Sequence, residues 1–152
     1  MEKNKFIFYV DGSARPNPGP GGFGIVTTLN DKVIDTYSKQ NQEQTTNNRE
    51  ELKAILSVFL RYGTKNAKEV PIVYSDSVYC VSIFNDWMFS WADNNWIKKT
   101  GGEPENLDLI KVYYSFYQKG YRIDLRKIKG HAGHKFNEMA DKLAKGEYKK
   151  SE

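Results

Sequence analysis

Three acids far apart in the chain sit where chemistry could be done: Asp11, Glu51 and Asp76. Two of them close short apolar runs. Phe6 to Val10 (FIFYV) leads into Asp11 and a Gly/Pro-rich turn, and Val70 to Ser75 (VPIVYS) leads into Asp76. A carboxylate at the C-terminal end of a strand lies where open α/β sheets form ligand sites. If the two strands are parallel neighbours, about 4.8 Å apart, both carboxylates leave one sheet edge. They then repel unless one takes up a proton or a cation sits between them. Plain readings stand beside this one: Asp11 before Gly12 can start a turn, and a fourth acid, Asp141, can simply sit at the surface.

The elements that would position these acids can be read in order. Phe6 to Val10 is β-branched and aromatic, too short for a helix, and reads as a strand buried on both faces. Phe23 to Leu29 and Lys32 to Ser38 are strand-like runs joined by Asn30-Asp31, a hairpin connection, so the first three strands form an antiparallel meander. Gln40 to Gln44 is polar and loop-like. Thr45-Thr46-Asn47-Asn48 then offers caps to a helix in which Leu52, Ile55, Leu56, Phe59 and Leu60 recur at i, i+3, i+4 up to Gly63.

At about 100° per residue, Glu50 projects nearly opposite that apolar stripe, while Glu51 lies at its margin and can look toward Asp11. Glu50 follows Asn47 by capping-box spacing, and Glu51 follows Asn48 by the same spacing, so a capping role is open to both. Val70 to Asp76 is a fourth strand, returned by right-handed crossover to lie beside the first. Ser77 to Asp86 reads as a short helix, Leu107 to Gln118 as another, Tyr121 to Ile128 as the fifth strand and Phe136 to Lys145 as the last helix. Between them Trp87, Trp91 and Trp96 are spaced among polar residues, the first two at the i, i+4 spacing of packing residues.

The chain has 152 residues, enough to bury a core without disulfides or structural metal, and one cysteine, Cys80, which has no partner to pair with. It has no run of about 18 apolar residues. A reducing, cytoplasmic location is expected, with no membrane contact. The net charge is +4, but residues 119–150 hold ten Lys/Arg against four Asp/Glu, a net of +6. A basic C-terminal third suits a polyanionic partner such as nucleic acid, or simply a solvated lysine-rich surface.

DGSARPNPGPGGFG, TTNNREEL, YSDS, the spaced tryptophans, KGHAGH and NEMADKLA, in this order, resemble type 1 ribonuclease H, the bacterial and reverse-transcriptase-associated family, over roughly residues 5 to 146. The resemblance implies an α/β fold of order βββαβαβα: a five-stranded mixed sheet, its first three strands antiparallel and the rest parallel, flanked by helices and carrying a helical handle. Residues 1–148 would form one catalytic domain and 149–152 a frayed tail. The implied activity is endonucleolytic hydrolysis of the RNA strand of RNA:DNA hybrids, leaving 5′-phosphate and 3′-hydroxyl ends. A catalytically silent hybrid-binding module and another nuclease of the same broad fold are the alternatives.

By the same resemblance Asp11, Glu51, Asp76 and Asp141 bind metal, two Mg²⁺ with Mn²⁺ as substitute. His131 in KGHAGH assists proton transfer or product release. Four acids at one edge give a physical reason for hard dications on oxygen ligands, one activating the attacking water and the other stabilising the leaving oxygen. Asn17, Asn47 and Asn48 would touch sugars and bases in the minor groove, and Thr46 and Asn106 would hold a DNA phosphate. No protein partner is implied, and a monomer is expected. Two departures stand out. Val78 replaces the Gln that the family commonly has after YSDS, and residues 92–106, the handle, carry Lys98 and Lys99 against Asp93, Glu103 and Glu105, a net of −1.

Overall fold

Asn30 and Asp31 both take the left-handed conformation (φ 51° and 65°) that a two-residue hairpin turn demands, and they join β2 (Gly19–Leu29) to β3 (Lys32–Thr45). β1 (Phe6–Ala14) pairs antiparallel with β2, and β4 (Ile72–Ser75) and β5 (Asp124–Lys127) follow in parallel, giving the sheet order β3-β2-β1-β4-β5. The expected five-stranded mixed sheet is therefore present. The computed structural model describes residues 5–128 and 134–148.

Helices cover both faces. α1 (Asn47–Tyr62), α2 (Val78–Ser82), α3 (Met88–Asp93) and α4 (Leu107–Gln118) build the larger core with Phe8, Val10 and Val73 of the sheet. α5 (Lys135–Ala144) packs on the other face, where Ala140 and Leu143 meet Tyr9 and Val26. The alternation Phe8, Tyr9, Val10 thus feeds both layers, as a strand buried on both faces must. Phe59 of α1 and Phe84 each stack on Tyr113 of α4 with ring centroids 4.0 Å apart. Truncating Phe59 to Ala would cost about 3–5 kcal/mol in transfer and cavity terms.

Several boundaries differ from the sequence reading. β1 and β2 extend into the Gly/Pro-rich turn. β3 continues through Gln40 to Gln44, read above as a loop, because this edge strand bears polar side chains that cap another element: Ser38 Oγ and Gln40 Nε2 donate to Leu143 O (2.6 and 3.1 Å), and Gln40 Nε2 also donates to Ala144 O (3.0 Å). The helix expected to stop at Asp86 instead passes through a π-helical turn, Ile83–Trp87, into α3, so that Trp87 and Trp91 lie on continuous helix with centroids 6.2 Å apart. β5 is shorter than expected. Among the described residues no helix is long and apolar enough to cross a membrane. The tail expected at 149–152 lies outside the described residues.

Candidate active site

β1 and β4 run in parallel register, with Phe8 beside Val73 and Tyr9 beside Tyr74. Two residues further along both strands, that register brings Asp11 beside Asp76. α1 crosses the same edge at Gly12, where a Cβ would lie 2.1 Å from the backbone N of Glu51. Only glycine permits this approach, and it delivers Glu51 to the two aspartates. On the opposite face α5 lies against Gly24, where a Cβ would fall 2.4 Å from Leu143 Cβ. That contact carries Asp141 close enough to interact with the Asp11 carboxyl.

Carboxylate oxygens of Asp11, Glu51 and Asp76 lie within 4.8 Å of one another. Asp11 is 8% exposed and Glu51 3% exposed, so little water screens them. Burial, then the nearby charges of Glu51 and Asp76, push the Asp11 carboxyl up to about 10. Burial likewise raises Glu51, opposed by the hydrogen bond from Ser75. Gly12 N–H donates to Asp11 Oδ1 (2.9 Å), and the Ser75 hydroxyl donates to Glu51 Oε2. Asp141 pairs with Lys145 Nζ at 3.1 Å. An all-oxygen, all-carboxylate donor set suits Mg²⁺ or Mn²⁺ rather than the softer metals that favour nitrogen and sulfur.

Glu50 is placed differently from the sequence reading. Projected away from the apolar stripe, it is nevertheless 0% exposed, because the end of β3 folds over it. Glu50 accepts from Thr45 Oγ1 (2.7 Å) and Asn41 Nδ2 (3.2 Å) and pairs with Lys53 Nζ (3.0 Å). The residue that caps α1 is Thr46, whose Oγ1 accepts from Arg49 N–H at 3.1 Å, and neither expected capping box forms.

The remaining sequence candidates line the start of α1 and the entry to α4. Asn17 Oδ1 accepts from Asn47 N–H (3.1 Å) and Asn47 Oδ1 accepts from Ala14 N–H (2.7 Å), lacing the β1–β2 turn to α1. Asn48 is exposed. Asn106 precedes α4 in the left-handed conformation (φ 62°) and accepts from Arg49 Nη1 at 3.1 Å. Arg49 also makes a bidentate pair with Asp108 (3.0 and 2.7 Å), holding that carboxyl below its ordinary range. Val78 is 64% exposed beside this edge, with no amide to offer a groove. His131 lies outside the described residues. His134 packs its ring against Tyr9 (5.0 Å) and Phe136.

Sequence reasoning missed Ser75 and Arg49. A serine in an apolar, buried strand needs a hydrogen-bond partner, and that was the available signal for Ser75. Arg49 carried none, since its partner Asp108 lies 59 residues away.

The RNase H family matches residues 3–149. Among curated relatives, the ribonuclease H of Actinobacillus succinogenes is 40% identical over 148 residues, covering 95% of this chain and 90% of its own. That of Caldanaerobacter subterraneus subsp. tengcongensis is 39% identical over 155 residues, covering 99% and 96%. Among solved structures, LC11-RNase H1 in complex with an RNA/DNA hybrid superposes with a TM-score of 0.64 at 24% identity, over 93% of this chain and 95% of its own, a likeness of fold.

Proposed function

We propose, since this chain belongs to the RNase H family and is a hydrolytic ribonuclease, that it cuts the RNA strand of RNA:DNA hybrids endonucleolytically, leaving 5′-phosphate and 3′-hydroxyl ends. The observation that carries this reading is the convergence of Asp11, Glu51 and Asp76 oxygens within 4.8 Å at one sheet edge. With Asp141 they would hold the divalent cations, Mg²⁺ before Mn²⁺, two per site. Bound there, such ions supply an activated water and stabilise the leaving 3′-oxygen.

The chain's own groups set up the rest. Ser75 occupies one oxygen of Glu51, so the carboxylate is aimed before any ion arrives. Left un-neutralised, Asp11, Asp76 and Glu51 would repel the scissile phosphate, which makes phosphate entry conditional on cation binding. Asn17 and Asn47 have spent their amide oxygens on backbone N–H groups. Their remaining Nδ2–H groups are donors, suited to the acceptors that bases and 2′-oxygens present in a wide minor groove. Asn48 would extend that row, while Thr46 and Asn106 take a phosphate of the DNA strand. His131 would relay a proton or speed product release. We assign these roles to one catalytic domain, residues 1–148, working as a cytoplasmic monomer; the lone buried Cys80 suits a reducing compartment.

A labelled hybrid, single-stranded RNA and duplex DNA incubated in Mg²⁺ with and without EDTA provide the test. Cleavage of the hybrid's RNA alone, abolished by EDTA, supports the reading. Binding without cleavage would identify a silent module, and cleavage of duplex DNA a different nuclease.

A further inference from the structure

Arg49 links two elements that nothing nearby in sequence connects. Its backbone N–H donates to Thr46 Oγ1 at 3.1 Å, its Nη1 donates to Asn106 Oδ1 at 3.1 Å, and its fork grips both oxygens of Asp108 at 3.0 and 2.7 Å. The N-terminal turns of α1 and α4 are thereby held together by one side chain, which is about a third exposed.

The chemistry of these bonds has a direction. A guanidinium only donates, so the amide of Asn106 must turn its oxygen toward Arg49 and its Nδ2–H₂ away. Thr46 likewise spends an oxygen lone pair on Arg49 N–H, which leaves its hydroxyl proton to donate outward. Two groups able to donate or accept are thus both fixed as donors. Asn106 is held in left-handed backbone, a conformation that asparagine tolerates but that still has to be maintained by its surroundings. Arg49 itself is occupied by Asp108, whose bidentate geometry fixes the guanidinium plane.

We infer that Arg49 is a positioning residue for substrate binding: it turns the Thr46 hydroxyl and the Asn106 amide into a matched pair of donors for one phosphate of the DNA strand, and Asp108 holds it there. The inference rests on the proposed phosphate role of Thr46 and Asn106. Its main competitor is that Arg49 contacts the phosphate directly. The two differ in sign at Asp108. Removing a surface acid from a polyanion-binding face should tighten binding by simple electrostatics, and should free Arg49 for a direct contact. If Arg49 positions Asn106, the same change loosens binding.

The test is steady-state cleavage of a hybrid, unmodified or with a single neutral methylphosphonate placed in turn along the DNA strand. In the wild-type protein one DNA position should raise KM about tenfold, the loss of charge-assisted hydrogen bonds. Asp108→Ala should raise KM on the unmodified hybrid about threefold, with kcat within about twofold. Arg49→Lys and Arg49→Ala should reduce the position-specific penalty to the share Thr46 supplies, since the backbone N–H that orients Thr46 is kept while the bond to Asn106 is lost. Arg49→Ala combined with Asn106→Ala should be no worse than Asn106→Ala alone, since one acts through the other.

A lower or unchanged KM for Asp108→Ala, additive effects of the two alanine variants, or a full methylphosphonate penalty in Arg49→Lys would each overturn the inference. Should the wild-type protein have no sensitive DNA position, the phosphate role of Thr46 and Asn106 falls, and the positioning inference with it. That result is distinguishable because it appears before any variant is made. Melting temperatures separate loss of fold from loss of positioning, and if Arg49→Ala does not fold, Asp108→Ala and Arg49→Lys carry the test.

Discussion

Glu50 and Glu51 are neighbours on the first turn of α1, both essentially inaccessible to solvent, and they answer the cost of burying a carboxylate in opposite ways. Glu50 has Lys53, Thr45 and Asn41 around it, so its charge is met by the protein itself. Glu51 faces Asp11 and Asp76, helped by the hydroxyl of Ser75 and the backbone of Gly12. A buried acid surrounded by protein donors and a cation is met by the protein; one surrounded by other acids must take up a proton or a cation from solution. The two residues differ by one position and about 100° around the helix, yet one is satisfied within the framework and the other faces the candidate site.

The contrast can be broken at its reactive side first. Asp11→Asn should lower kcat on a hybrid by about a thousandfold, because losing a ligand charge forfeits several kcal/mol of the metal's contribution while leaving shape unchanged. Single-turnover cleavage in Mg²⁺ measures it, and near-native turnover would contradict the site.

On the framework side, Glu50→Ala should destabilise by about 2 kcal/mol, less than a fully buried pair because Lys53 is partly exposed. Urea denaturation reads this loss, and kcat of the folded fraction should change little. Equal damage to activity from Glu50→Ala and Asp11→Asn would erase the distinction.

A third measurement sharpens it through pH. Asp11 and Glu51 have raised carboxyl pKa values in the metal-free fold. A group bound to its proton more tightly when folded stabilises below its ordinary pKa and loses that contribution as pH rises through the folded value. Metal-free stability should therefore decline from about pH 4 toward pH 10, and added Mg²⁺ should flatten the decline. Asp11→Asn should be more stable than the parent at pH 8 without metal, since each pKa unit is worth about 1.4 kcal/mol. Thermal melts across pH, with and without EDTA, provide the check.

The smallest effect concerns substrate affinity. Because residues 92–106 carry a net −1, hybrid affinity should fall with salt less steeply than for a relative with a basic handle, by about one unit of log-log slope per missing phosphate contact. Equal slopes for the two would remove the argument.

Much of this architecture was legible because the relevant residues obey local periodicities. Ile7 to Val10 alternates between two cores, Asn30-Asp31 has hairpin chemistry, and Leu52, Ile55, Leu56 and Phe59 mark the buried stripe of α1. Asp11 and Asp76 were legible as strand-end acids. Glu50 was not, since its burial comes from Asn41 and Thr45 on β3 rather than from its own helix. Gln40 to Gln44 read as loop because the strand's polar groups bond the carbonyls at the end of α5, a partner more than a hundred residues away. Asp141 lies off its helix's apolar stripe, so only the resemblance singled it out; its approach to Asp11 depends on α5 resting against Gly24. Trp87 and Trp91 had the right spacing, but the π-helical turn that keeps them on one helix has no local signature.

The contact at Gly12 is main chain against main chain, so the gap between β1 and the Glu51 backbone acts as a fixed gauge. Repacking side chains elsewhere in the core can retune stability without altering it. Enlarging the cleft for a wider ion would then fall to the acids and the side chains around them, through exchange of Asp for Glu or the reverse.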